Sequence, residues 1–106
     1  MLPINSNTRL IYGVIDGSLN AEHSNVVETN AFVGDDDTIL HGDSVLELTE
    51  RISPRSSVYY YNAEDESNIS ADAILEGLEW MLDKKVDCVT ISLSGKRYSE
   101  EFIKYF

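Results

Sequence analysis

Apolar residues run from Leu10 to Ile15, interrupted only by Gly13, and Asp16 closes the run. A short, β-branched, apolar stretch predicts a buried strand, with Gly13 where neighbouring atoms approach closely. Gly17 and Ser18 then turn the chain away. Asp16 is therefore expected at the carboxyl end of a strand, where open α/β sheets carry ligand and catalytic groups. From Asn20 to Asp37 no period is sustained: Val26, Val27, Phe32 and Val33 are the only strong apolar points. This reads as a long loop with room for a short edge strand near Ala31.

Helical spacing begins at Gly42. Val45, Leu48, Thr49 and Ile52 share one face, Asp43 and Glu47 suit the early turns, and Pro54 ends the element. Ser57 to Ala63 is rich in β-formers and predicts the second strand. The polar EDESN loop leads to Ser70, a natural N-cap, with Asp72 in the first turn. Ile69, Ala73, Ile74, Gly77, Leu78, Met81 and Leu82 form the stripe of a helix from about Ala71 to Asp83, and Lys84 and Lys85 suit its carboxyl end. Val86 to Leu93 predicts the third strand, and Tyr98 to Phe106 a third helix. Strand and helix in alternation predict an α/β fold: three-layer αβα, a small parallel sheet of about three strands joined by crossover helices.

Length and charge narrow the function. The 106 residues suit a single domain, residues 1–106. A net charge of −11 repels phosphate backbones and anionic lipid, so neither nucleic acid nor a membrane is expected as a partner. Cys88 is the only cysteine, which excludes an intrachain disulfide; within its strand it reads as a buried small hydrophobe rather than a reactive thiol. The start, MLPINSNTR, lacks the basic and apolar regions of a secretion signal, so a cytoplasmic location is expected.

Asp16 and His41 stand 25 residues apart, one at a strand end and one before a helix. Both fit the same rim of the sheet, where the carboxylate would fix the imidazole tautomer and the imidazole act as general base. The spacing also fits a bland reading, in which Asp16 caps its own turn and His41 lies in a solvated loop. Asp35, Asp36 and Asp37 offer oxygen ligands for calcium, but consecutive acids without EF-hand spacing read as a solvated charge run, so no cofactor is expected. Tyr59, Tyr60, Tyr61 and Trp80 read as packing residues.

The flanking residues add a resemblance. VIDGSLNAEHSNV (Val14 to Val26) resembles the VIDTGIDxxHPDL segment around the catalytic aspartate of subtilisin-like serine proteases, and HGDSV (His41 to Val45) resembles their HGTHVAG histidine motif. ISADAILEGLEWMLDKKVDCVTISLSG (Ile69 to Gly95) resembles the family's SxIIxGIEWAIxxxxDVINMSLGG helix and strand. The resemblance implies that Asp16 is the triad aspartate, His41 the triad histidine and His23 a structural histidine. It also implies that Ser92, Leu93, Ser94 and Gly95 form a strand end pairing with an extended peptide substrate by β-augmentation. The family's nucleophile lies in a GTSMA segment, and the 106 residues contain none. Ser18, Ser44, Ser92 and Ser94 lack that context. Further departures from the family pattern are Gly17-Ser18 after the aspartate, Ser44 for the second motif histidine, Leu46-Glu47 for a small pair, and Ser94 for glycine. The bulk of Leu46-Glu47 suggests an exposed or remodelled setting.

Two functions follow as expectations. One is the amino-terminal half of a subtilisin-like peptidase, inactive alone and completed by a serine-bearing half. The other is a catalytically inactive pseudoprotease module that binds a peptide or partner protein. In the resembled family the first strand pairs on one side with this chain's third strand and on the other with a later strand. The Leu10 to Ile15 edge is thus expected to be bare, and to be covered in a homo-oligomer or heteromer.

Overall fold

The computed structural model describes residues 10–65 and 68–91. These form β1 (Ile11–Asp16), β2 (Val26–Thr29), α1 (His41–Ile52), β3 (Ser57–Asn62), the two-residue strands β4 (Glu64–Asp65) and β5 (Asn68–Ile69), α2 (Ala71–Lys84) and β6 (Cys88–Ile91). Side-chain alternation along β1 and β3 separates two cores. Val14, Val58 and Tyr60 join Leu19 and Leu46 of α1 on one face of the sheet. Ile15 joins Ala63, Ile74 and Met81 of α2, with Tyr59, Tyr61, Val89 and Ile91 against them, on the other. The fold is α/β, a parallel sheet between two helices.

Strand order is β2-β3-β1-β6, all parallel. This corrects two expectations. The sheet has a fourth strand, β2, lying before Ala31 and carrying a register irregularity between Val26 and Glu28 where it pairs with β3. An edge strand buries few side chains, so β2 never develops the alternation that would reveal it. A separate bridge joins Leu19 to Val33. The second correction concerns β1, which is paired along both sides: with β3 from Ile11↔Ser57 to Asp16↔Asn62, and with β6 from Tyr12↔Cys88 to Ile15↔Ile91. The strand starting at Ser57 occupies the side that the family resemblance reserved for a later strand. No bare Leu10 to Ile15 edge remains to drive association.

Both helices end as their sequences suggest. Ser70 caps α2 by accepting a hydrogen bond from Ala73 N at 3.1 Å, and Lys85 closes it in the left-handed region at φ 57°. Gly77 lets α2 approach the sheet: a Cβ there would stand 2.8 Å from Tyr61 Cδ1 and 3.1 Å from Ile15 Cδ1. Trp80 packs against Tyr59 and Tyr61 with ring centroids 5.9 and 5.7 Å away, and Lys84 lies over the indole while pairing with Glu28 of β2 at 2.7 Å. The EDESN segment, expected as a loop, carries the small antiparallel pair β4 and β5. Leu46 is fully buried, so the bulk at that position serves the core, while Glu47 faces solvent. Cys88 is exposed rather than buried; desolvation, with Asp87 beside it, raises its thiol pKa. The third helix at Tyr98 to Phe106 and the strand end Ser92, Leu93, Ser94 and Gly95 lie outside the described residues.

Candidate active site

Parity delivers the aspartate. Tyr12, Val14 and Asp16 alternate onto the α1 face of β1, and a helix that returns between parallel strands begins at their carboxyl ends. The first residue of α1 is His41. Asp16 Oδ2 and His41 Nδ1 stand 2.8 Å apart, the Asp16 side chain 3% exposed and the His41 side chain 57% exposed. A carboxylate oxygen accepts, so in this contact His41 donates from Nδ1. The other Asp16 oxygen accepts from Gly17 N at 2.7 Å, which fixes the carboxylate's rotation. The two residues singled out by spacing and resemblance therefore meet.

A second Asp–His pair lies beside it. His23 Nε2 donates to Asp43 Oδ1 at 2.9 Å, with the two side chains 5% and 2% exposed. Burial pushes the Asp43 carboxyl up, but hydrogen bonds from His23 and from the amides of Asn20, Leu40 and Ala21 outweigh it and hold the group below its ordinary 3.8. A depressed folded pKa contributes stability above the unfolded value, and that contribution disappears as pH falls through the folded value. The urea midpoint of wild type should therefore exceed that of Asp43→Asn by most at neutral pH, and the gap should close as pH falls below about 4. A gap constant from pH 7 to pH 3 would show that the Asp43 charge contributes nothing.

Tyr60 and Glu64 complete the surroundings. Tyr60 Oη donates to Gly17 O at 2.6 Å, pinning the residue after Asp16. Burial, then the charges of Asp16, Asp43 and Glu64, raise its phenol far above the usual range, so it remains a donor. Ser18 Oγ donates to Glu64 Oε1 at 2.6 Å, which occupies the serine nearest Asp16. Asp43, Tyr60 and Glu64 carried no site signal in sequence beyond the inward parity of Tyr60 in SVYYYNA and the place of Asp43 two residues after His41.

The acidic loop does not gather into a site. Asp36 Oδ1 accepts from Thr38 N and Thr38 Oγ1, both at 3.0 Å, and these bonds lower its pKa. Among the described residues no three His, Cys, Asp or Glu side chains form a group able to hold a metal ion, and no helix is long and apolar enough to cross a membrane. The proposed peptide-pairing residues Ser92, Leu93, Ser94 and Gly95 are outside the described part, so the site here consists of the aspartate, the histidine and their supports. The chain matches no protein-family model, and no curated protein matches it at a significant level.

Proposed function

We propose that this chain supplies the aspartate and histidine of a subtilisin-like serine peptidase centre, completed by a serine from a further polypeptide segment. The observation that carries the reading is the 2.8 Å contact between buried Asp16 and the exposed imidazole of His41. In such a centre His41 Nε2 takes the proton of the serine hydroxyl as its oxygen attacks the peptide carbonyl, then gives it to the leaving amine. Asp16 stabilises the imidazolium between the two steps. Three sequence motifs in the family's order support the same assignment.

Packing also supports completion by a further segment. Leu48 and Ile52, one turn apart on α1, are exposed at 57% and 72%. Cys88 and Thr90 of β6, opposite Tyr12 and Val14 of β1, are exposed on the sheet face that α1 covers elsewhere. Among the described residues, exposed side chains thus occur both on α1 and on the α1 face of β6, whereas Val89 and Ile91 on the other face pack with the α2 core.

The product of the native locus, treated with a fluorophosphonate, should label on a serine, and the label should vanish in His41→Ala. The isolated 106 residues should hydrolyse no peptide; turnover that His41→Ala abolishes would overturn that part. The departures from the family's histidine motif at Ser44 and Leu46-Glu47 favour a second reading, a non-catalytic module that binds an extended peptide. An unlabelled product that binds such a peptide, with binding lost on changing Ser94 and Gly95, would replace the first reading by the second. Neither label nor binding would overturn both.

A further inference from the structure

We propose that Asp43 is the positioning residue of the Asp16–His41 pair: one buried carboxylate that sets the spacing between the loop leaving Asp16 and the helix end bearing His41. The inference rests on the reading of Asp16 and His41 as the acid–base pair.

The connection from Asp16 to His41 runs through residues 17–40, far too long to fix a 2.8 Å contact by itself. Asp43 shortens it. From the loop after β1 it accepts Asn20 N at 3.0 Å on Oδ2, Ala21 N at 3.1 Å on Oδ1 and His23 Nε2 at 2.9 Å on Oδ1. From the start of α1 it accepts Leu40 N at 3.0 Å on Oδ2. Each oxygen therefore binds the loop leaving Asp16, and Oδ2 also binds the residue preceding His41. An acid in the first turn of a helix needs only its own helix's amides. Here three of the four donors belong to a different segment, and the carboxylate is buried rather than solvated.

The donor count explains why the residue is an aspartate. Four N–H groups converge, and a carboxylate offers about four lone-pair positions with no proton of its own. Asparagine has the same shape but must turn an NH2 against at least one pair of those donors. Asp43→Asn thus cuts the tie with almost no change in volume. Tyr60, which holds Gly17, anchors that residue to β3 and not to α1, so it does not substitute for Asp43.

The chain has two histidines, His23 and His41, so long-range 15N imidazole spectra of the labelled protein resolve both. In wild type, His41 should be dominated by the Nδ1–H tautomer. In folded Asp43→Asn the ratio of Nδ1–H to Nε2–H at His41 should fall at least about tenfold, toward that of Asp16→Asn, as loss of a charge-assisted hydrogen bond implies. A ratio within twofold of wild type in the folded variant would overturn the proposal. If Asp43→Asn does not fold, His23→Gln, which leaves three amide donors on the carboxylate, should lower the ratio by a smaller factor; an unchanged ratio there overturns it equally. Unfolding of both variants would make Asp43 a stability element only, and the positioning role would be wrong. The measurement involves neither substrate nor nucleophile. If wild-type His41 lacks the Nδ1–H tautomer, the peptidase reading fails first; if it has it and Asp43→Asn leaves it intact, only the positioning role fails.

Discussion

In the peptidase proposed above, His41→Ala is expected to lower kcat about ten-thousand-fold or more while KM stays within a few-fold. The expectation follows from what the imidazole does. Under that proposal, removing it leaves the serine hydroxyl with no group to take its proton, whereas peptide binding would depend on strand pairing that His41 does not provide. Asp16→Asn should cost nearly as much with less structural change. The asparagine NH2 would donate to His41 Nδ1, where Asp16 Oδ2 now accepts at 2.8 Å, and so hold the opposite tautomer. The proton would then sit on Nε2, at the position where a base is needed. Steady-state kinetics on a fluorogenic peptide, using the product of the native locus and its two variants, measures both losses. The amide spectra of the variants should overlay on wild type away from residues 16–18 and 40–43. A loss under tenfold for His41→Ala would rule out a general base at this position.

The same pair shows how far the sequence could be read. Asp16 was legible because a buried parallel strand leaves no ambiguity about where it ends, and His41 because helical spacing starts next to it, although α1 buries Gly42, Asp43 and Leu46 and leaves Leu48 and Ile52 of the expected face exposed. Their contact followed from parity and from the rule that crossover helices start at strand carboxyl ends. The motif resemblance added the chemical roles. What was not legible is the neighbourhood. Asp43 looks like an ordinary acid in a first turn, and only the fold brings Asn20, Ala21 and His23 onto it. His23 was expected to be structural, and it lies buried in contact with Asp43.

The sheet order was misjudged for a related reason. Local pattern identifies strands but says nothing about which neighbours they take, so the pairing of β1 came from the family resemblance: its expected pairing with the strand after Val86 holds, while its other side is taken by β3. β3 is held on β1 through six consecutive register pairs. Its Tyr60 reaches across to Gly17, and its Val58 fills the core under Leu46. Placing β3 anywhere else would remove the side chain that buttresses the turn after Asp16. The edge strand allowed near Ala31 lies a few residues earlier, at Val26–Thr29, because its partly exposed residues leave little periodic trace in the sequence to fix its bounds.

Gly42→Ala is expected to destabilise the fold by about 2 kcal/mol or more, against the helix-propensity gain of about 1 kcal/mol that alanine brings to a helix. Gly42 is the second residue of α1, and an added Cβ would fall inside the Tyr60 hydroxyl and stand 2.9 Å from Leu19 Cδ2. Neither neighbour has room to yield. Tyr60 is fully buried and its oxygen is held by Gly17 O at 2.6 Å, so the ring moves only by breaking the bond that steadies the turn beside Asp16. Overpacking therefore wins over propensity. Tyr60→Phe alone should cost about 1 kcal/mol, since it leaves Gly17 O without that donor. In Gly42→Ala combined with Tyr60→Phe, however, the missing oxygen opens the space the new methyl needs. The double variant should then be more stable than Gly42→Ala alone, with a coupling of about 1 kcal/mol or more between the sites. Urea unfolding of the four proteins gives the coupling directly. Simple additivity would show that the helix start relaxes away from Tyr60, and that the packing of α1 on β3 does not hold His41 in its place.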